Sequence, residues 1–217
     1  MNSDDVEGVT RERIEAALAA FEPRAAGEDV RDAVGETSAS PQRAAVAIAV
    51  GRRRDGVTAF LLTVRPDRMR AHPGQFALPG GRVDSGESAA QGALRELHEE
   101  LGIEVDEAAV LGRLDDYVTR SGYVISPFVV WVGDLLDATI ANPDEVAIVL
   151  TPTMAELDVE PRFVTIPESD RPVVQWPYAG SLIHAPTGAI IYQFREVVLH
   201  GRPTRVDHLE QPVFAWR

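Results

Sequence analysis

The stretch from Leu78 to Ile103 (LPGGRVDSGESAAQGALRELHEELGI) constrains the fold more than any other part of the chain. Its first residues predict a glycine-rich turn and a short loop. Ser88 followed by Gln91 predicts a capping box, in which each of the two residues satisfies a free backbone N–H of the other. Gly102 suits a left-handed helix cap. The sequence therefore predicts a helix over Ala89–Leu101.

This predicted helix carries acidic side chains on one face. At about 100° per residue, an apolar stripe of Ala90, Leu94, Leu97 and Leu101 forms one face, and Glu96, Glu99 and Glu100 cluster on another. Like charges one turn apart destabilise a helix by about 0.2–0.5 kcal/mol per pair. A solvated acidic face is one interpretation. A site for a hard cation is the other, since carboxylate oxygens are the ligands that Mg²⁺ prefers.

The spacing of the whole stretch, G-x5-E-x7-R-E-L-x-E-E-x-G-I, resembles the Nudix box. Every defining position is filled: Gly81, Glu87, Arg95, Glu96, Leu97, Glu99, Glu100, Gly102 and Ile103. The resemblance implies a hydrolase that depends on Mg²⁺ or Mn²⁺ and acts on a nucleoside diphosphate linked to another moiety. It also implies the Nudix fold, an α/β (α+β) protein built as an α/β/α sandwich with a mixed β-sheet.

The same resemblance implies roles for individual residues. Metal ligands would be the Gly81 carbonyl, Glu96, Glu99 and Glu100. Glu87 and Arg95 would form an ion pair that fixes the loop to the helix, and Arg95 would also orient Glu99. Nudix folds commonly bring a further carboxylate to the metals from beyond the box. Glu145 is the candidate here, ahead of Asp144 and Glu156, so the expected catalytic carboxylates are Glu99, Glu96 and Glu145.

The segment just before the box predicts substrate recognition. Residues 65–80 are too irregular for a helix or a strand, and they contain four side chains suited to phosphate: Arg65, Arg68, Arg70 and His72. The string LLTVRPDRMRAHPGQFALPGG is similar to the signature that precedes the box in coenzyme A pyrophosphatases of the Nudix superfamily. The matching positions are Leu61, Leu62, Thr63, Arg65, Arg70, Gly74, Pro79, Gly80 and Gly81.

Two positions depart from that signature. Leu78 replaces Phe, and Pro66 replaces a small residue and restricts the backbone of Arg65. The expected substrate-binding residues are Arg65, Arg70, His72 and Gly80.

Composition limits the partners and the location. Of the 217 residues, 45% are hydrophobic and 25% charged, as in ordinary globular proteins, and the net charge is −13. That charge argues against nucleic acid and anionic membranes as partners, while a small nucleotide needs only a local cationic pocket. The chain has no cysteine, and its acidic first residues are unlike a signal peptide. A cytoplasmic protein is expected.

The chain divides into an N-terminal extension, residues 1–42, and a catalytic domain, residues 43–217. Within the extension, Ile14, Leu18 and Phe21 have helical spacing and predict an amphipathic helix over Arg11–Phe21 that packs on its own domain or on a partner subunit. A homodimer is possible through this helix or a strand edge. Residues 22–42 are predicted to form a long connection.

The remaining apolar runs predict strands and helices around the box. The expected strands are Ala44–Val50, Val57–Val64, Ala108–Thr119, Tyr123–Val132, Val146–Leu150, Arg162–Ile166 and Val173–Ile183. Pro127 suggests a bulge or an edge position in its strand. Helices are expected over Pro152–Leu157 and Ile190–His200. Trp176 and Tyr178 are candidates to stack on an adenine ring or on each other, although aromatics in such a Pro-rich segment are usually packing residues.

Three functions fit the sequence. The first is cleavage of the P–O–P bond of coenzyme A or acyl-CoA to adenosine 3′,5′-bisphosphate and (acyl-)4′-phosphopantetheine. The second is the same reaction on ADP-ribose, a dinucleoside polyphosphate or a nucleoside triphosphate. The third is a non-catalytic, nucleotide-binding regulatory module on the same scaffold, which would be expected to lack some of the metal-binding glutamates.

Overall fold

The computed structural model describes residues 8–26, 42–68 and 74–216. Its helices are α1 (Arg11–Ala19), α2 (Ala89–Leu101), α3 (Met154–Leu157) and α4 (Thr187–Phe194), which continues as one π-helical turn over Arg195–Leu199. Its strands are β1 (Gln42–Arg52), β2 (Thr58–Phe60), β3 (Leu62–Val64), β4 (Phe76–Ala77), β5 (Gly80–Arg82), β6 (Val110–Arg113), β7 (Tyr117–Val118), β8 (Tyr123–Gly133), β9 (Ile148–Leu150), β10 (Arg162–Ile166), β11 (Ser169–Tyr178) and β12 (Ser181–His184).

The long strands β1 and β8 form the centre of a mixed sheet. They pair in parallel, with Ala44 opposite Ile125. β2 and β5 share the other edge of β1 and run antiparallel to it, and β6 and β7 pair antiparallel with β8. A parallel pair inside antiparallel neighbours is the mixed sheet that the family resemblance implied.

Alternation along β1 separates two layers of core. Ala45, Ala47 and Ala49 face one side of the sheet and pack with Leu97 and Leu101 of α2. Ile48 and Val50 face the other side, in the cluster that contains the buried residues of α1 and α4. Helices therefore cover both faces of the sheet, as expected for an α/β/α sandwich.

Two smaller sheets extend this frame. β3 pairs antiparallel with β4 and with β9, and β10, β11 and β12 form an antiparallel meander. The prediction of a single strand over Val57–Val64 is wrong, because this run divides at Leu61 into β2 and β3, which join different sheets. The prediction of an irregular segment over residues 65–80 missed the short strands β4 and β5.

Pro127 lies in the central strand β8 and not at an edge, and the expected bulge lies opposite it, because Arg113 pairs with Phe128 and Tyr117 with Ile125, four positions on one side against three on the other. The Pro127 carbonyl accepts the N–H of Leu114, which lies between β6 and β7. The N–H and C=O of one strand residue point to the same side. Because Pro127 has no N–H, the return bond to the Leu114 carbonyl is missing, at the gap between β6 and β7.

The amphipathic N-terminal helix packs on its own chain. Ile14, Leu18 and Phe21 are buried, as their spacing predicted. Gly112 in β6 allows the close approach, since a Cβ at this position would lie 3.0 Å from Leu18 Cβ. The predicted connection over residues 22–42 lies mostly outside the described residues. No helix in the described parts of the chain is long and apolar enough to span a membrane.

Candidate active site

The loop and helix around α2 have the local structure that the sequence predicted. Ser88 Oγ accepts the N–H of Gln91 at 3.1 Å, and Gln91 Oε1 accepts the N–H of Ser88 at 2.9 Å. Gly102 adopts φ 69°, and its N–H donates to the His98 carbonyl at 2.8 Å. Both ends of α2 are thus fixed by its own sequence, which sets the rotation of its acidic face relative to β5.

Arg95 joins this loop to the helix. Its Nη2 donates to Glu87 Oε1 at 2.9 Å and its Nε donates to Glu87 Oε2 at 3.2 Å, a two-pronged pair. The Arg95 hydrogen bonds hold the pKa of Glu87 below its usual range. Nη1 donates to Glu96 Oε1 at 3.0 Å and to Glu99 Oε2 at 2.9 Å. One guanidinium therefore positions a loop carboxylate and two helix carboxylates together.

Glu100 is the most buried carboxylate of the helix. It is 5% exposed, although the predicted apolar stripe excluded it, and Ala90 and Leu94 of that stripe are only partly buried. Burial raises the pKa of Glu100 to about 8, and the nearby charge of Glu96 adds to this effect. The pKa of Glu96 is also raised, mainly by burial. Two acids with disfavoured charges therefore lie side by side.

Gly81 in β5 leaves room for one of these acids. A Cβ at this position would lie 2.4 Å from Glu96 Oε1, closer than any real Cβ contact. β5 is itself held against β1, with Gly81 opposite Ala45. The glycine of the motif therefore lets the carboxylate of Glu96 lie directly against the backbone of β5.

A cavity of about 400 Å³ opens beside these residues. Its walls come from β1, β4, β5, α2, the β7–β8 hairpin, the segment before β9, and the C-terminal part of the chain. The residues that line it are Ala44, Val46, Arg65, Gln75, Phe76, Ala77, Leu78, Gly80, Gly81, Arg82, Glu96, Glu100, Thr119, Ser121, Tyr123, Ile125, Glu145, Pro186, Thr187, Ile190 and Gln211.

The structure brings most of the predicted site residues to this cavity. Those that line it are Arg65, Gly80, Gly81, Glu96, Glu100 and Glu145. Glu99 is half exposed, is held by Arg95, and is not part of the described lining. Arg70 and His72 lie outside the described residues.

Among the three acids considered beyond the box, the structure distinguishes Glu145. Its charge acts on both Glu96 and Glu100 and raises the pKa of each. Asp144 is exposed and pairs with Arg68 at 3.0 Å. Glu156 belongs to the capping box of α3, where it accepts from the N–H of Thr153 at 2.8 Å. Of the three, Glu145 is the one that lines the cavity.

Sequence reasoning missed several residues of the cavity wall. Arg82 donates to Tyr123 Oη at 2.7 Å, and both side chains line the cavity. A cation directly after Gly81 was a signal that could have been noticed. Thr119, Ser121 and Gln211 gave no such signal. The hydrogen bond between Gln211 and the backbone of Arg120 spans 91 positions of sequence.

The donor chemistry of these residues fits a divalent cation, although the side chains do not yet surround one point. In the described part of the chain, no three acidic or histidine side chains converge in that way. Arg95 holds Glu96 and Glu99 instead. The available donors, carboxylates and the Gly81 backbone carbonyl, are all oxygens, which suits Mg²⁺ or Mn²⁺. A cation here would also relieve the repulsion among Glu96, Glu100 and Glu145.

Trp176 and Tyr178 stack on each other, with ring centroids 5.6 Å apart and an interplanar angle of 7°. Trp176 is fully buried. Of the two stacking partners that the sequence left open, the structure shows the neighbouring ring.

Comparison with known proteins identifies the family. The NUDIX domain family model matches residues 41–176. Nudix hydrolase 3 of Caenorhabditis elegans is 36% identical over 106 residues, which are 48% of this chain and 44% of that protein. The uncharacterised Nudix hydrolase NudL of Yersinia enterocolitica is 39% identical over 114 residues, 52% of this chain and 57% of that protein. The chain thus spans about half the length of the curated relatives it matches.

Solved structures agree on the fold. The MutT/nudix family protein of Enterococcus faecalis superposes with a TM-score of 0.53 at 18% identity, over 76% of this chain and 66% of that one. The NUDIX hydrolase of Nitrosomonas europaea gives 0.51 at 17% identity, over 77% of each chain. With the box, its geometry and the matched family model, the chain belongs to the Nudix family.

Proposed function

We propose that this protein is a metal-dependent pyrophosphohydrolase of nucleoside diphosphate derivatives. The observation that carries the proposal is the grouping of Gly81, Glu96, Glu100 and Glu145 on one wall of a 400 Å³ cavity. Cavities of this size accommodate small molecules. A wall of oxygen donors suits a ligand that arrives with divalent cations, such as a pyrophosphate.

The metal would be Mg²⁺ or Mn²⁺, held by Glu96, Glu99, Glu100 and the Gly81 carbonyl. When bound, it would supply charge neutralisation of the phosphates and activation of water. Arg95 holds Glu96 and Glu99 in place, and the Glu87 pair holds Arg95. Glu96, Glu99 and Glu145 are the candidate bases for the attacking water, because each is an acid in or beside the cavity wall.

Within this class we propose coenzyme A or acyl-CoA as the substrate, giving adenosine 3′,5′-bisphosphate and (acyl-)4′-phosphopantetheine. The string from Leu61 to Gly81 supports it by resemblance. Arg65 of this string lines the cavity, and its buried Nε has no hydrogen-bond partner among the described residues. A cationic side chain in the cavity wall suits a phosphate oxygen.

Other substrates of the same class remain the alternative, because loops rather than the box determine the substrate. ADP-ribose, a dinucleoside polyphosphate or a nucleoside triphosphate would each present a pyrophosphate to the same carboxylates. The names of the curated relatives specify hydrolysis without a substrate. A non-catalytic module is not favoured, since all three glutamates of the helix motif are present.

A substrate panel tests the proposal. The purified protein is assayed with Mg²⁺ or Mn²⁺ on coenzyme A, ADP-ribose, diadenosine tetraphosphate and a nucleoside triphosphate, with EDTA as the control. We expect metal-dependent hydrolysis and the highest kcat/KM for coenzyme A. A higher kcat/KM for ADP-ribose would reject coenzyme A as the substrate. No hydrolysis of any compound, with no Mg²⁺ or Mn²⁺ binding by calorimetry, would support the regulatory module.

Arg70→Ala tests recognition of the 3′-phosphate. If Arg70 binds this group, the substitution raises KM for coenzyme A more than KM for dephospho-coenzyme A, which lacks it. Equal changes in the two KM values would remove that role from Arg70.

A further inference from the structure

The C-terminal part of the chain completes the cavity. The family match ends at residue 176, yet Pro186, Thr187, Ile190 and Gln211 all line the cavity. Three of these belong to α4 or its approach, and Gln211 belongs to the segment after it. Residues beyond the matched region therefore form part of the wall against which a substrate would lie.

An ion pair fixes this C-terminal segment to the β7–β8 hairpin. Arg120 Nη2 lies 2.5 Å from Glu210 Oε2, and Arg120 Nε also donates to this carboxylate at 3.2 Å. Glu210 is 2% exposed, and Ser169 Oγ donates to it at 2.9 Å. The Arg120 hydrogen bonds help to hold the pKa of Glu210 below its usual range against its burial. A buried carboxylate with these partners is costly to displace.

Gln211 itself is held from two sides. Its Oε1 accepts the N–H of Arg120 at 2.7 Å, and its backbone carbonyl accepts the indole N–H of Trp216 at 2.9 Å. The Arg120 guanidinium also lies 5.2 Å from the centre of the Trp216 ring. The side chain of Gln211 is therefore fixed in orientation while it lines the cavity, and it is only 2% exposed.

Two neighbours in the wall, Thr119 and Ser121, are uncharged, whereas Arg82 brings a charge to the same side of the cavity through its hydrogen bond to Tyr123 Oη. Thr119 and Ser121 lie on the same hairpin, with their hydroxyl oxygens 3.1 Å apart. Thr119 also accepts the N–H of Tyr123 and donates to the Tyr123 carbonyl. In the described part of the chain, Gln211 Nε2 makes no hydrogen bond. It is thus a positioned amide donor with unused capacity.

This polar wall, formed by Thr119, Ser121 and Gln211, is separated from the acidic residues. Tyr123, at the start of β8, pairs with Gln42 of β1, whereas Gly81 pairs with Ala45. Three residues of strand span about 10 Å. A group bound at the polar wall therefore lies beyond a pyrophosphate bound at Glu96 and Gly81.

We propose that Gln211 is a specificity-determining residue whose amide N–H binds a neutral acceptor on one organic half of the substrate. This inference rests on the proposed function, since it assumes a pyrophosphate bound at Glu96 and Gly81. The acceptor is a ring nitrogen or carbonyl of a nucleobase, or an amide carbonyl or hydroxyl of the other half. Arg120 and Glu210 are positioning residues that act through Gln211.

Calorimetric titration of the two halves, each as its monophosphate with Mg²⁺, tests the inference without turnover. The probes are AMP for the nucleoside half, and 4′-phosphopantetheine and ribose 5-phosphate for the other half. Two variants separate the roles of the amide. Gln211→Glu keeps an oxygen for the Arg120 N–H and loses the donor, whereas Gln211→Met loses both and stays neutral.

We expect both variants to weaken binding of one half about tenfold, the effect of one buried hydrogen bond, with the other half unchanged. Thermal unfolding of each variant reports whether the C-terminal segment stays folded. A loss of affinity in Gln211→Met but not in Gln211→Glu would show that only the bond to Arg120 matters, and it would overturn the proposal. So would equal loss for both halves, no loss, or a wild-type protein that binds no probe.

The results distinguish a failure of this inference from a failure of the proposed function. If the protein does not hydrolyse coenzyme A but the Gln211 variants selectively lose affinity for AMP, the role of Gln211 stands and coenzyme A is rejected as the substrate. If the protein hydrolyses coenzyme A and both Gln211 variants have an unchanged KM, the proposed function stands and the role of Gln211 is rejected.

Discussion

At the scale of single residues, Glu99 and Glu100 are neighbours in sequence with opposite environments. Glu100 is 5% exposed, and burial raises its pKa to about 8. The side chain of Glu99 is 51% exposed and lies within 2.9 Å of Arg95. We therefore expect substitutions of these two carboxylates to differ in their effects on activity and on stability.

Glu99→Gln is expected to lower kcat by roughly tenfold to hundredfold and to leave stability nearly unchanged. The substitution removes a charge that would serve the metal, and changes around metal sites commonly have effects of this size. Hydrolysis of the best substrate and the thermal midpoint are measured together. Glu104→Gln removes the same charge at an exposed position just after α2 and serves as the control. Retained kcat in Glu99→Gln would contradict the metal assignment.

Glu100 should make stability depend on pH in EDTA. A carboxyl group whose folded pKa is raised contributes stability below its unfolded pKa of about 4.5, and this stability is lost as pH rises through about 8. The free energy of unfolding should therefore fall by on the order of 1–2 kcal/mol between pH 6.5 and 8. Urea unfolding at several pH values measures it.

Two comparisons sharpen the pH experiment. Glu100→Gln should flatten the dependence, while Glu99→Gln should keep it, since Glu99 is half exposed. Saturating Mg²⁺ should also flatten it if the cation binds the charged form of Glu100. A slope that persists in Glu100→Gln would assign the titration to another group.

At the scale of elements, α2 and its loop act as one unit joined by Arg95. The sequence predicted the bounds of α2, because the signals that fix them are local: Ser88 and Gln91 at the start, Gly102 at the end. The pair of Glu87 and Arg95 was expected from the resemblance to the Nudix box, and the structure contains it. The further bond from Arg95 Nη2 to the Arg82 carbonyl, at 2.9 Å, also ties the helix to β5.

Arg95→Lys is expected to lower the free energy of unfolding by about 1–3 kcal/mol. Lysine cannot reproduce the two-pronged contact with Glu87, and one ammonium group cannot also reach Glu96, Glu99 and the Arg82 carbonyl. Chemical denaturation measures the loss.

The matched control is Arg53→Lys, which makes the same change in a pair with Asp55 at 2.8 Å whose side chains are 34% and 49% exposed. Exposed pairs contribute about 0–1 kcal/mol, so this variant should be close to wild type. An equal free energy of unfolding for the two variants would show that the contacts of Arg95 between loop and helix do not stabilise the fold.

Elements whose partners are distant in sequence were harder to predict. The run Val57–Val64 is apolar throughout, so nothing in it indicates that Phe60 pairs with β1 while Leu62 pairs with β9. Gln211 and Arg120 meet across 91 positions of sequence. Local patterns cannot specify contacts of this kind. The resemblance to the Nudix box anticipated the box carboxylates and Glu145, but it contains no signal for the polar wall.

At the scale of the whole molecule, the N-terminal helix belongs to the same core as the C-terminal helix. Ile14 is fully buried in the cluster that contains Phe194 and Ile48 of the central strand. The sequence set residues 1–42 apart as an extension. These contacts lead us to expect α1 to unfold together with the domain, although it precedes the region that the family model matches.

Ile14→Ala tests this expectation. A fully buried isoleucine that is cut to alanine typically costs about 2–4 kcal/mol, from lost burial and the cavity left behind. If α1 is part of one cooperative unit, the whole unfolding transition shifts by this amount, and circular dichroism and tryptophan fluorescence give the same midpoint. Glu15→Ala, one position along on the exposed face, should change stability by less than about 0.5 kcal/mol. An early separate transition in Ile14→Ala, with the main one unmoved, would show that α1 docks independently and that the rest of the described fold is stable without it.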